Sequence, residues 1–428
     1  MTQHMTGWRT TWALLAFMLV NFADKTVLGL AARPVMADLG IGREQFGTAS
    51  AAFFALFSVS ALAVSYLTRT VRTTVLLLAL ALLWSAAQLP MLWPAAGFGT
   101  LLATRVLLGA AEGPALPVAT HHLHGWFEQH RRTLPTAVLL TGAAAGVAVA
   151  APTLTLVIDR FGWRWAFGAV GLAGLVWAGY WAWRGIEGPY APEAGGAGTG
   201  ADGAVPYRRI LLSGTWLSAA LGAFAAYWML SAGLTWMPDY LQTVVGLSLR
   251  RSGTLVTAAA LAGGVVLVGH GLLARRRTRP PHGAGAGAAM CLAALAVGLF
   301  AVTDAVWLKV VLMLGPMALA NVVMTVAQTA CARIASPPQR GVVLGALAFV
   351  YALAGVLAPW TVGRIVDTAA SVDAGYRTAF LLSAALLGTT GLLAVWRLRP
   401  ERDALALAAE ALRLKERCAQ NRSKGAAK

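Results

Sequence analysis

The sequence predicts an all-α membrane protein of twelve transmembrane helices in two six-helix halves. Three observations carry that prediction. Apolar residues make up 58% of the 428 residues and charged ones 12%, about half the charged share of an ordinary soluble domain. Stretches of about 20 apolar residues, enough to cross a hydrocarbon core of about 30 Å, recur along the chain. A polar segment, "EGPYAPEAGGAGTGADGAVPYRR", then divides them six and six. The period-2 alternation of a β-barrel is missing.

The first apolar run, 11–32, is too long for a signal peptide and carries Asp24 and Lys25 within it. Runs 46–67, 74–93, 97–119, 134–158 and 165–183 complete an N-terminal bundle over 1–184. The Gly/Ala/Pro-rich stretch that follows cannot build a core, so 185–209 reads as a flexible cytoplasmic linker. Runs 210–236, 253–274, 285–303, 306–331, 342–363 and 378–396 form a C-terminal bundle over 210–397. A basic cytoplasmic tail, 398–428, closes the chain. Leu405, Ala408 and Leu412 share one helical face of that tail, which suits either the anionic inner leaflet or a solvated extension.

Charge distribution orients this arrangement. With both termini cytoplasmic, 23 of the 34 basic residues fall on the cytoplasmic side and nine on the other, counting Lys309 at the edge of its run. That asymmetry follows the positive-inside rule in a multi-pass protein of the cytoplasmic (inner) membrane. The net charge of +17 is therefore topological and does not point to nucleic acid. Cys291, Cys331 and Cys418 are scattered and form neither a disulfide framework nor a metal pattern.

The halves resemble each other. "RRTLPTAVLLTGAAAGVAVAAP" ends at Pro152 and "QRGVVLGALAFVYALAGVLAP" at Pro359. Each places a loop arginine, Arg132 or Arg340, about 20 residues before its proline, and an aspartate, Asp159 or Asp367, after it. Gly142 and Gly146 allow close helix approach. Parallel six-helix repeats are a transporter arrangement, with a substrate site near the midplane between the halves.

Four charges lie well inside the predicted runs: Asp24, Lys25, Arg105 and Glu112. Each costs about 2.5–3.5 kcal/mol at a helix centre on an insertion scale. Facing lipid, the four together would cost about 10–14 kcal/mol, the whole stability of a typical domain. They are expected to face the interior and compensate one another. Arg105 and Glu112, seven residues apart, fall on one helix face about 10 Å apart along the axis. An acid near a base can hold a proton in one conformation and release it in another, while the bases hold an anion. The alternative is an ion network that only sets helix register, but apolar residues usually do that at least as well. Tyr227, Trp228, Trp236, Asn321, Gln328 and Tyr351 are further candidates to line a cavity, with Trp236 also placed as an interfacial anchor.

"NFADKTVLGLA", "TRVLLGAAEGPALPVATHHLHGWF", "FGWRWAFG" and "WMPDYLQTVVGLS" resemble the major facilitator superfamily. More narrowly they look like its anion:cation symporter family of sugar-acid and organic-anion carriers. The resemblance implies that Asp24 and Glu112 are protonation sites. It implies that Arg105 couples protonation to substrate and that Lys25 stands where the family usually has a substrate-binding arginine. The lysine is itself a departure from the family, and three further features depart. The loop "SYLTRTVRTT" lacks the usual gating aspartate. Phe57 stands where sugar-acid carriers have a tyrosine, and Ala348 and Ala352 stand where they have asparagines. A less hydroxylated, more apolar carboxylate than a sugar acid follows as an expectation.

"HHLHGWFEQHRR" places His121, His122, His124 and His130 at one helix end. A pH-sensitive gate or a topogenic loop fits it better than a metal site, because the spacing matches no zinc pattern. No nucleophile–base pair marks an enzyme. The expected activity is a proton-coupled symporter of a small organic carboxylate, working as a monomer without metal or cofactor and driven by the proton gradient. A proton-coupled drug or metabolite exporter of the same fold is the alternative.

Overall fold

In lipid a chain finds no water for its backbone, so an apolar run satisfies its own N–H and C=O groups as a helix. A computed structural model describes residues 2–68, 70–128, 131–190, 205–276, 283–336 and 339–426. His130 and most of the expected linker lie outside the described residues. The first half contains α1 (Thr2–Leu30), α2 (Ala32–Leu39), α3 (Arg43–Ala52), α4 (Phe57–Leu67), α5 (Thr73–Gln88), α6 (Phe98–Glu112), α7 (Ala115–His124), α8 (Thr133–Phe161) and α9 (Trp163–Arg184). The rest contains α10 (Tyr207–Leu211), α11 (Gly214–Thr243), α12 (Leu249–Arg276), α13 (Gly283–Val302), α14 (Val306–Leu314), α15 (Val322–Ile334), α16 (Arg340–Thr368), α17 (Val372–Arg397) and α18 (Pro400–Ala426).

Among the described residues, eleven helical spans rather than twelve are long and apolar enough to cross a membrane. The remaining expected run, 46–67, is present as α3 and α4, interrupted at Phe53–Leu56. Phe54 N–H bonds Ala51 O at 2.9 Å and Ala55 N–H bonds Ala52 O at 3.1 Å, the tighter i→i+3 pattern. The interruption lies against α6. A Cβ on Gly109 would fall 1.6 Å from the Phe53 carbonyl oxygen, and one on Gly113 2.0 Å from that of Phe57. Backbone therefore touches backbone there, which only glycine permits.

Prolines shape the other long helices. Pro152 and Pro359 are each the twentieth residue of a 29-residue helix, α8 and α16, matching the repeat in the sequence. Proline leaves the carbonyl four residues earlier without its helical donor. In α16 that carbonyl belongs to Gly355, and Ser231 Oγ donates to it at 3.4 Å. In α11, Pro238 frees Leu234 O, which lies where a Cβ on Gly29 would be, 1.8 Å away. Between α6 and α7, Gly113–Pro114 breaks the helix immediately after Glu112.

The chain falls into two compact units. One comprises Met1–Gly196, Leu230–Val265 and Gly355–Ala379; the other comprises Ala197–Met229, Val266–Ala354 and Phe380–Lys428. The sequence divisions at 184, 209 and 397 follow the repeat, whereas these units cut across α11, α12, α16 and α17. In the first unit Phe17 packs between Trp84 and Trp177, with ring centroids 4.5 and 4.6 Å away. In the second, Phe300 packs on Phe380 at 5.1 Å and Trp228 Nε1 donates to Ser383 Oγ at 3.0 Å. The tail helix α18 is tied to this second unit by Asp403, which accepts from Thr215 N–H at 2.8 Å and so caps α11.

Candidate functional site

The buried charges meet in the first unit, on α1, α5 and α6. Asn21 and Lys25 stand four residues apart on α1 and so share a face. Lys25 Nζ donates to Asn21 Oδ1 at 2.7 Å and to Glu112 Oε2 on α6. Asp24 points to a neighbouring sector, where Gln88, the last residue of α5, donates its Nε2 proton to Asp24 Oδ1. Arg105 Nη2 donates to Gln88 Oε1 at 3.0 Å. Asp24, Arg105 and Glu112 are each at most 2% exposed, and the Lys25 side chain is 12% exposed. The interior, mutually compensated arrangement expected from cost is the one found. Asp24 Oδ2, Glu112 Oε1, Arg105 Nε and Asn21 Nδ2 are buried without a hydrogen-bond partner, so the network has unused capacity for a proton or a ligand.

Two features of this network were not read from the sequence. Gln88 is the bridge between Asp24 and Arg105, and Asn21 is a ligand of Lys25. Aromatic rings complete the surroundings. Lys25 Nζ lies 4.9 Å from the Phe22 ring centroid and 5.5 Å from that of Phe53. Phe57 packs on Phe53 at 5.5 Å, which places it beside the Lys25 group. Arg105 stacks over Phe167 at 5.2 Å.

Of the other candidates, Tyr227 and Tyr351 lie together in the second unit, ring centroids 5.1 Å apart. Asn321 ends a 3-10 turn, Pro316–Asn321, and is half-buried, while Gln328 on α15 is exposed. Trp236 is not an interfacial anchor. It is 2% exposed, its Nε1 donates to Pro359 O at 2.9 Å, and its ring meets Phe46 at 5.5 Å. Trp228 is likewise buried.

A second charged cluster joins the three stretches of the first unit. Arg43 Nε donates to Asp239 Oδ2 at 3.0 Å, and Tyr376 OH donates to the same oxygen. Asp239 is fully buried. Beside it, Glu44 N–H donates to Asp367 Oδ2 at 2.6 Å and Ser50 pairs with Thr235 at 2.8 Å. Asp239 therefore joins the interior charges, as does Lys309, which is 8% exposed and whose Nζ donates to Phe300 O at 3.3 Å.

At the opposite ends of α5 and α7, the histidine cluster resolves into separate roles. Thr73 Oγ1 donates to Glu187 Oε2 at 2.8 Å, and a hydroxyl has one proton. His122 Nδ1, 2.7 Å from the same hydroxyl, is therefore its donor. Glu187 also accepts from Thr74 N–H at 2.8 Å, capping α5. His124 Nε2 instead meets Thr136 Oγ1 at 3.0 Å. Among the described residues no group of three or more His, Cys, Asp or Glu is placed to hold a metal. Partial burial pushes the Glu187 carboxyl up, but bonds from His122, Thr74 and Thr73 outweigh it and hold it at about 2. A depressed carboxylate contributes stability above its unfolded value that is lost as pH falls through the folded one. Glu187→Gln should therefore lower the melting temperature at pH 7, and the difference from wild type should shrink as pH falls from 4.5 toward 2. A difference unchanged across that window would show that the carboxylate charge is not what matters.

The family model of the Major Facilitator Superfamily matches residues 13–359. The chain belongs to that superfamily. It is 26% identical over 277 residues to the D-galactonate transporter of Escherichia coli O6:H1, covering 59% of this chain and 64% of that one. It is 27% identical over 263 residues to the hexuronate transporter of Bacillus subtilis, covering 59% and 61%. A sodium-dependent phosphate transport protein of Arabidopsis thaliana chloroplasts is 27% identical over 254 residues, covering 56% and 49%. The match thus spans less than two thirds of the length of the first two relatives. Among solved structures, a bacterial homolog of the human lysosomal transporter Spinster superposes with a TM-score of 0.76 at 16% identity, covering 94% of this chain and 98% of that one. A D-xylose-proton symporter gives 0.72 at 13%, covering 92% and 98%. These share the fold. The protein is a multi-pass membrane member of this superfamily.

Proposed function

We propose that this superfamily member is a proton-coupled symporter of a small organic anion, working by alternating access. One observation carries the reading: Lys25 neutralises Glu112 directly, while the second acid, Asp24, is separated from Arg105 by the neutral amide of Gln88. A proton arriving on Glu112 replaces Lys25 as its neutralising partner. Lys25 is then released to the carboxylate of a substrate. Without either, Lys25 stays paired with Glu112 and the site is neutral; with only one of them the buried site carries net charge, which is costly at this depth. Proton and anion therefore travel together. The relatives named for galactonate and hexuronate support an anionic cargo. Sidedness follows the basic-residue asymmetry, with both termini cytoplasmic and the Arg43–Asp239–Tyr376 cluster at the outer end as a gate. The chain acts as a monomer without a cofactor, on the energy of the proton gradient.

Asp24, Lys25, Arg105 and Glu112 sum to zero charge, and the same site with one proton and one monoanion again sums to zero. Uptake of a monocarboxylate into proteoliposomes should follow an inward proton gradient and ignore an imposed membrane potential. Uptake that follows sodium and not pH would overturn the coupling ion. Lipophilic cations stimulating proton movement, with no carboxylate taken up, would support an exporter instead.

A further inference from the structure

We infer that the binding group around Lys25 selects monocarboxylates with an apolar, preferably aromatic, body and discriminates against both polyhydroxy acids and dicarboxylates. This inference rests on the symport reading above and narrows its substrate.

The charge count limits the cargo first. Of the four ions, Glu112 has a fully inaccessible side chain, Asp24 is 0% exposed and Arg105 2%, with its Nη2 donating to Gln88. Lys25 keeps accessible surface. One reachable cation holds one carboxylate. A second carboxylate on the same molecule would have to sit beside buried Asp24 and Glu112 with no accessible base of its own.

The surroundings of Lys25 then set the body. Phe22 and Phe53 stand within 5.5 Å of its ammonium, and Phe54 and Phe57 extend the same wall, their centroids 5.6 Å apart. Phe53 meets Phe54 edge-on at 4.8 Å. Phe54 in turn presses on Gly355, where a Cβ would come within 2.7 Å of the ring. The helix interruption at Phe53–Leu56 is what brings Phe53, Phe54 and Phe57 together, and it exists because Gly109 and Gly113 receive the Phe53 and Phe57 carbonyls. The Ser60 hydroxyl on this stretch is already bonded to Phe57 O at 3.0 Å. Ring faces and edges favour an aromatic or aliphatic body. A hydroxyl pressed on them loses its water without regaining a partner.

The test uses the intact protein in proteoliposomes with an inward proton gradient and three probes: phenylacetate, gluconate and succinate. Phenylacetate should accumulate. Gluconate, with several hydroxyls, should be taken up about 100-fold less efficiently, the scale on which an apolar pocket rejects one added hydroxyl. Succinate should fall with gluconate. Phe57→Tyr should narrow the phenylacetate-to-gluconate ratio. Ligand-induced thermal stabilisation of the purified wild type by the same probes gives a second readout that needs no variant. Gluconate or succinate accumulating with the gradient while phenylacetate does not would overturn this inference and leave the symport reading standing. No gradient-driven uptake and no stabilisation by any of the three, in folded protein, would overturn both.

Discussion

Glu112→Gln should abolish gradient-driven accumulation while substrate exchange across the membrane continues. Glutamine has nearly the same shape as glutamate, and its Oε1 can still accept from Lys25, so the contacts that position α1 against α6 survive. What it cannot do is gain a proton. Coupled one to one, a gradient of one pH unit supports about tenfold accumulation, since tenfold and about 1.4 kcal/mol are the same quantity. In the variant that ratio should fall to one. The site also changes from zero net charge to +1, because Asp24 alone then opposes Lys25 and Arg105. A monoanion restores neutrality by itself, so binding and counterflow exchange should persist or strengthen. Radiolabelled carboxylate in proteoliposomes measures both quantities in one preparation. Undiminished accumulation would remove Glu112 from the mechanism. Loss of exchange together with accumulation would make the residue structural.

The four ions were legible in the sequence because charge inside an apolar run is costly enough to demand a reason. Their neutral partners were not. Gln88 carries no charge, lies at the end of an apolar run and leaves only a weak hydropathy signal, although its amide is what links Asp24 to Arg105. The interruption of α3–α4 was also hidden. "AFFALF" contains neither glycine nor proline, and the determinant sits on another helix, at Gly109 and Gly113. Asp239 was missed for a related reason. It lies beyond the expected run, which stops at 236, and Pro238 reads locally as a helix end. The helix nevertheless continues to Thr243. The carbonyl that Pro238 frees is met by Gly29 of α1, a tertiary contact that no local pattern encodes. The histidine run shows the opposite case, a conspicuous motif whose members scatter, with His122 turned to Thr73 and Glu187 and His124 to Thr136.

Asp239→Ala should open one end of the transporter. Asp239 Oδ2 accepts from both Arg43 and Tyr376, so a single oxygen fastens α3, α11 and α17. Removing one partner of a buried ion pair generally costs about 3–5 kcal/mol, because the other charge stays buried and unpaired. Here Arg43 is 20% exposed at its side chain and can turn to water, so the lower end applies to it. Tyr376 is fully buried and has no such recourse. Glu44–Asp367 remains, so the cluster loosens rather than dissolves. If this cluster is a gate, the loss shifts the population toward the state open at that end, and net transport slows. The reporter is Ser50→Cys, 8% exposed and beside the cluster, in a background with Cys291, Cys331 and Cys418 replaced. A membrane-impermeant thiol reagent added from outside should label Cys at that position several-fold faster when Asp239 is alanine. Asp239→Asn, which still accepts from Tyr376, should give an intermediate rate. Labelling that is unchanged while the melting temperature falls would mean the cluster holds helices together without gating, and faster labelling only from the inside would reverse the proposed sidedness.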